Sequence, residues 1–291
     1  MRTETITVII PCFNEEEALP VYYQAMQPVM KQMENIDFEL LFIDDGSTDH
    51  TLLEMKALHQ KDPRCKYFSF SRNFGKEAAI YAGLSNAGGD YVAVMDVDLQ
   101  DPPALLPQMY KILAEEEYDS VATRRSDRVG EPKLRSFLSE TFYKVINRIS
   151  KTEIVRGARD FRLMKRKMVD AVLKMSEYNR FSKGIFEWVG FRTKWMEYEN
   201  IERSAGETKW SLRKLFVYSM EGITGFSGAA VTGICTGTFV LSNFLCHDHC
   251  DHRTDIDLGR PCIRMAFSCL HHLYGKWSAA FMYRNRRTVP V

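Results

Sequence analysis

In the first half of the chain, short β-branched hydrophobic runs alternate with longer amphipathic stretches. That alternation predicts an α/β fold with a mostly parallel central sheet. Residues 6–10 form an apolar run ended by Pro11, which suits a buried strand. Residues 15–33 have helical spacing, with Pro20 and Pro28 as points that start or kink the helix. Residues 38–43 read as a second strand that leaves through the turn Asp44-Asp45-Gly46-Ser47, and Thr48 or Asp49 is placed to cap the next helix. Residues 66–70 make a third strand, and residues 75–87 a helix stopped by Gly88-Gly89. Residues 91–95 make a fourth strand that runs straight into Asp96-Val97-Asp98-Leu99-Gln100-Asp101, and residues 120–123 a fifth. Ligands of open α/β sheets sit outside the carboxyl ends of the strands. Three polar clusters fall at such ends: Asn14-Glu15, Asp44-Asp45 and Asp96 with Asp98.

At 291 residues the chain holds one large domain or a domain plus an appendage. Its formal charge is +1, so nothing global argues for nucleic acid, and none is expected as a partner. The opening MRTETITVII enters a strand-like run without the apolar core of a signal peptide, so this part is expected to stay in the cytosol. Cys12 and Cys65 stand alone in the first 230 residues and read as reduced, partly buried thiols. Residues 135–150 and 211–224 are helical in pattern and mix Arg or Lys with aromatic and aliphatic residues. Two readings stay open for them: helices packed on the domain, or helices lying in a membrane interface.

Asp96-x-Asp98 carries the central chemistry. Two carboxylates beyond a strand end converge on one divalent cation if the chain turns there. Mg²⁺ or Mn²⁺ prefers such oxygen ligands and is commonly shared with substrate phosphates. It would offset charge growing on a departing diphosphate. Loops are rich in acids, so the pair alone says little. Its place directly after an apolar strand, with Gln100 and Asp101-Pro102-Pro103 behind it, gives it meaning. Asp44-Asp45-Gly46-Ser47 is good turn chemistry, and a carboxylate there is equally suited to accept from a base N–H or a ribose hydroxyl. Pro11 to Glu15 would line the same pocket. In the polar loop of residues 71–77, Arg72 and Lys76 either touch phosphate beside a helix N-terminus or are solvated surface charges.

Six strings in order, VIIPCFNEEEALP, FIDDGSTDHT, SRNFGKEAAIYAGL, MDVDLQDPP, RDFRLMKR and RSAGETKWSLRKL, resemble a family 2 glycosyltransferase. More narrowly, residues 5–227 resemble the polyprenyl-phosphate glycosyltransferase branch, which includes bactoprenol glucosyl transferases and dolichol-phosphate mannose synthases. The resemblance implies a GT-A-like, nucleotide-sugar-binding catalytic domain over residues 1–210 and a juxtamembrane amphipathic helix over 211–227. It further implies inverting transfer of a hexose to a polyprenyl (undecaprenyl) phosphate, feeding cell-envelope glycan modification, with Mg²⁺ or Mn²⁺ as cofactor. UDP-glucose is the first candidate donor and GDP-mannose the second. The place of action would be the membrane surface on the cytoplasmic side of the plasma membrane. A homo-oligomer stays open.

Residue by residue, the resemblance implies that Pro11, Phe13, Glu15 and Asp44 contact the nucleoside, and that Asp96, Asp98 and Gln100 lie at the metal and diphosphate. Asp160 would lie near the transferred sugar. Arg203 and Lys209 would lie near the acceptor and donor phosphates, and Arg125 and Arg135 on the lipid-phosphate side. A phosphate acceptor is already a nucleophile at neutral pH, since its second pKa is about 6. Asp160 is therefore expected to orient groups or stabilise positive charge more than to remove a proton.

The tail, residues 228–291, departs from that branch, whose members usually end in two long transmembrane helices. Residues 227–246 carry no charge and are just long enough to span, but are rich in Gly, Ser and Thr. Residues 263–283 contain Arg264, His271, His272 and Lys276, which a lipid-facing helix rarely tolerates. His247, His249, Cys250 and His252 invite a zinc reading without a regular finger spacing. Five of seven Cys and five of seven His lie beyond the resemblance, as a shifted reading frame would produce. A shifted frame, a divergent anchor and a metal site all stay open, and a defective tail would leave the protein soluble. Two rival functions stand beside the transferase. A sugar-phosphate nucleotidyltransferase would carry a Gly-rich basic loop where this chain has Pro11-Cys12-Phe13-Asn14-Glu15. The other rival is a non-catalytic nucleotide-sugar-binding remnant.

Overall fold

The computed structural model describes residues 3–125, 147, 155, 157–175 and 180–198. All of them fall in the first of two compact units, Met1–Gly233. In chain order the elements are β1 (Glu4–Cys12), α1 (Ala18–Gln32), β2 (Ile36–Asp44), α2 (Thr51–Lys61), β3 (Cys65–Ser69), α3 (Lys76–Asn86) and β4 (Tyr91–Val94). A 3-10 turn (Pro103–Leu105), α4 (Leu106–Glu115), β5 (Ser120–Arg125), β6 (Ala158–Lys165), α5 (Arg166–Leu173), α6 (Ser182–Trp188) and β7 (Thr193–Tyr198) follow. The strands form one sheet in the order β3-β2-β1-β4-β6-β5-β7. Six of these strands run one way, and β6 runs against both of its neighbours.

The sheet is covered on both faces, which is why its central strands read as continuous apolar runs. Ile6, Val8 and Ile10 of β1 enter a core shared with α1, α2 and α4, whereas Ile9 enters a second core with α3, α5 and α6. All four are fully buried, each worth about 1.5–3 kcal/mol of transfer free energy. Cys12 and Cys65 are fully rather than partly buried. Among the described residues, no helix is long and apolar enough to cross a membrane.

Two sequence expectations need correction. Strand β1 does not stop at Pro11 but pairs with β2 through Pro11 and Cys12. Met95 donates its amide to Ile9 O at 3.0 Å, so the backbone groups of Ile9 face β4. Alternation points those of Pro11 the same way, past the last residue of β4, where no ladder bond is lost. Helix α2 begins at Thr51, so neither Thr48 nor Asp49 is its N-cap residue. Asp49 still serves this end, accepting from the Thr51 amide at 3.0 Å and its hydroxyl at 2.6 Å. Pro28 lies inside α1, and Pro20 in its first turn.

Candidate active site

Three loops leave the carboxyl edge of β1, β2 and β3 and lock together. Asn14 adopts φ 54°, a left-handed conformation that Asn tolerates. Its amide donates to Ser47 Oγ at 2.9 Å, and its Oδ1 accepts from the Thr48 amide at 2.8 Å. The Glu15 amide donates to Thr51 Oγ1 at 2.7 Å. Pro11, Phe13 and Glu15 therefore sit, half-buried, on a loop zipped to the turn after β2. Asp44 is buried and accepts from the Ser47 amide at 2.9 Å and the Ser69 hydroxyl at 2.7 Å. Asp45, also buried, accepts from the amides of Phe74 at 2.7 Å and Gly75 at 2.9 Å. Burial pushes the Asp45 pKa up, only partly offset by those two amides. Gly46 has φ +67°, and a Cβ there would lie 2.3 Å from the carbonyl carbon of Arg72. No residue with a side chain fits beneath the 71–75 loop at that point.

That loop delivers Lys76, the first residue of α3, to the next strand ends. Sheet register explains what it meets. Val94 of β4 faces Arg162 of β6 in antiparallel pairing. Two residues further along β4 and two back along β6 come Asp96 and Asp160, across from each other just outside the ladder. Like charges directly opposite repel. The Lys76 ammonium lies between them, 2.6 Å from Asp96 Oδ1 and hydrogen-bonded to Asp160 Oδ2. Lys183 of α6 is the second cation, 3.7 Å from Asp160 Oδ1. Helix α6 is tied to α3 by the Ser182 amide, which donates to Glu77 Oε2 at 3.0 Å. Burial alone would raise the Asp160 pKa, but Lys76 and then Lys183 pull it well below the usual carboxylate range. Burial would likewise favour a neutral Lys76, yet Asp160 and Asp96 hold it protonated.

Asp98 is buried and accepts the Gln100 amide on Oδ1 at 3.2 Å, closing the turn that follows β4. Leu99 between them has φ 55°, an uncommon conformation for a side-chain-bearing residue, while its side chain packs on the core beneath α1. Strained backbone of this kind stores about 1–3 kcal/mol and persists where its surroundings enforce it. Arg159 of β6 pins the same loop, donating to Asp101 Oδ1 at 2.9 Å and Gln100 Oε1 at 3.1 Å. Tyr198, at the end of β7, donates to the same Asp101 oxygen, and burial and then Asp101 push its pKa up to about 12.

The donor set at Asp96 and Asp98 suits a hard divalent cation. Asp96 already presents its carboxylate to a positive charge. Among the described residues, no cluster of three or more His, Cys, Asp or Glu forms a complete cage. Mg²⁺ and Mn²⁺ are commonly held in this way, by one or two carboxylates plus substrate phosphates.

The structure thus brings together Pro11, Phe13, Glu15, Asp44, Lys76, Asp96, Asp98, Gln100 and Asp160 along one edge of the sheet. Arg125 is described only as the last residue of β5. Arg135, Arg203, Lys209 and the tail lie outside the described residues, as do residues 211–224 and all of 135–150 except Asn147. Sequence reasoning named Asp45 and Asp101 only as parts of their turns, and it passed over Arg159, Lys183 and Tyr198. For Arg159 a signal was available, since it adjoins Asp160 in RDFRLMKR. For Lys183 and Tyr198 there was none short of the fold.

Comparison with known proteins identifies the family and the fold. The family described as Glycosyl transferase family 2 matches residues 7–173. The chain is 45% identical to the Bacillus subtilis protein CsbB over 243 residues, 83% of this chain and 73% of that one. It is 42% identical over 222 residues to the bactoprenol glucosyl transferase of Shigella phage SfV, 76% of this chain and 72% of the relative. A solved structure of glucosyl-3-phosphoglycerate synthase from Mycobacterium tuberculosis, in complex with Mn²⁺, UDP-glucose and phosphoglyceric acid, superposes with a TM-score of 0.51 at 19% identity. That superposition covers 76% of this chain and 77% of the synthase and shows a shared fold.

Proposed function

This chain belongs to glycosyl transferase family 2, and from that premise we propose that it transfers glucose from UDP-glucose to a polyprenyl phosphate, with inversion, using a divalent cation. The observation that carries the reading is the meeting of Asp96 and Asp160 on one ammonium at the carboxyl edge of the sheet. A carboxylate suited to a donor-side cation and a second one within reach of a transferred sugar thus share one crevice. The bactoprenol glucosyl transferase among the relatives supports the glucose and lipid-phosphate assignment.

Asp96 and Asp98 would hold Mg²⁺ or Mn²⁺. When bound, the cation neutralises charge developing on the departing nucleoside diphosphate. The interlocked loops carrying Pro11, Phe13, Glu15 and Asp44 hold the nucleoside. Arg159 fixes the amide of Gln100 through its oxygen, orienting that side chain at the diphosphate. Asp160, held as an anion by Lys76 and Lys183, is too weak a base to deprotonate a hydroxyl efficiently. An acceptor phosphate asks for no such base, since it carries a second negative charge at neutral pH (second pKa about 6). Asp160 instead orients the transferred sugar, a role that its neutral isostere can largely fill. Arg203, Lys209, Arg125 and Arg135 would supply cations for the phosphates. Action at the cytoplasmic membrane surface, as the lipid acceptor requires, belongs to the same proposal.

The test is an assay of the full chain in detergent with a short-chain polyprenyl phosphate, a panel of nucleotide-sugars and Mg²⁺ or Mn²⁺. A glucosyl-phospho-lipid formed only with a divalent cation is the expected product. Donor hydrolysis or binding without transfer would favour a binding remnant and overturn the proposal. Asp160→Asn retaining most of kcat is expected on the orienting role, and a loss of several orders of magnitude would return it to a base.

A further inference from the structure

We infer that Lys76 is a positioning residue that acts as a built-in counter-cation, occupying the cation side of Asp96 until a nucleoside diphosphate arrives, so that metal and donor enter together. The inference rests on the metal-dependent reading above and deepens it.

The Lys76 ammonium stands 2.6 Å from Asp96 Oδ1 and also bonds Asp160, so one positive charge serves two facing carboxylates. A bare divalent ion arriving at Asp96 would have to sit beside that ammonium, and like-charge repulsion at such range opposes it. A nucleoside diphosphate changes the balance. It brings enough negative charge to face both cations and offers the ammonium phosphate oxygens in exchange for Asp96. The long, flexible lysine stem permits that change of partner. Asp160 is not stranded by it, because Lys183 stays 3.7 Å away and is anchored by donation to Ala158 O at 3.0 Å. Lys76 therefore links binding at the metal position to binding at the diphosphate position. By reciprocity, each ligand must strengthen the other by the same factor.

The decisive measurement is the Mn²⁺ dissociation constant of the full chain in detergent, read by electron paramagnetic resonance of free Mn²⁺, with and without UDP. In the wild type, UDP is expected to tighten Mn²⁺ binding about tenfold or more. Lys76→Met keeps the length of the stem and removes the charge. It should bind Mn²⁺ alone about tenfold more tightly than wild type, so that the UDP effect shrinks by about the same factor while the part supplied by phosphate oxygens on the metal remains. Lys76→Arg keeps the charge and should follow wild type. Unchanged or weaker Mn²⁺ binding by folded Lys76→Met overturns the inference. So does a wild type whose Mn²⁺ affinity ignores UDP, a result that needs no variant to fold. Failure of every form to bind Mn²⁺, even with UDP, is a different result and brings down the metal-dependent reading itself.

Discussion

At the β1–β2–β3 end of the crevice, Asp44 and Asp45 are held by the amides of Ser47, Phe74 and Gly75 and the hydroxyl of Ser69. At the β4–β6 end, Asp96, Asp101 and Asp160 are held by Lys76, Arg159 and Lys183. Both ends hold their carboxylates in place, but with different donors. A backbone amide cannot leave without remodelling its loop, whereas an ammonium on a long stem can change partner. The β1–β2–β3 end is therefore prepared in shape, and the β4–β6 end is prepared in charge. Substitutions at the first end should act through stability and donor affinity, and those at the second through turnover and metal binding.

The sharpest way to break that contrast lies at the charged end. Asp96→Asn, and separately Asp98→Asn, should lower kcat/KM by about 10²–10³ while the melting temperature holds, as loss of one strong electrostatic contact in a transition state typically does. Normal turnover of either variant in chelator would end the metal assignment. At the other end, Asp45→Ala strands the Phe74 and Gly75 amides. It should cost about 1–3 kcal/mol of stability for each amide left without a partner, seen as a lower denaturant midpoint with raised donor KM. Gly46→Ala forces a side chain against Arg72 in a left-handed backbone. The strain alone should cost about 1–3 kcal/mol, with the 2.3 Å overlap on the Arg72 backbone added to it, seen as a lower denaturant midpoint. Arg159→Lys keeps the charge but loses the fork that spans Gln100 and Asp101. It should lower kcat about tenfold, near 1.4 kcal/mol, with little change in donor affinity. The smallest effect is expected at Cys65, whose thiol burial and then Asp62 push up to about 12. Iodoacetamide at pH 8 should leave it unmodified in the folded protein, and rapid alkylation would show the β2–β3 side to be looser than described.

The parallel strands were legible because they are buried on both faces and therefore written as unbroken apolar runs. The acidic pair after β4 was legible because a strand end followed by carboxylates falls where open sheets bind ligands. Strand β6 was missed as a strand, although its Asp160 was singled out. Arg159, Asp160 and Arg162 interrupt its apolar positions, and only the fold shows how each is accommodated. Arg162 is fully buried, bonded to Glu187 at 3.2 Å, with its guanidinium 4.2 Å from the Phe186 ring centre. Lys76 was legible as either a phosphate contact or a surface charge. The 71–77 loop reads the same in both cases until the register of β4 and β6 places two acids in front of it.

The reversed strand also makes the chemistry sensitive to spacing and not only to identity. Because side chains alternate faces along a strand, inserting one residue between Asp160 and Arg162 would rotate Asp160 toward the layer that holds Phe161 and Leu163. Every amino acid named in the crevice would still be in the chain, and the string of motifs would still be recognisable, yet the two acids would no longer share a face. Length of the segment between the pairing point and the acid is thus a ruler. A relative that keeps the letters but alters that count should be expected to have lost transfer.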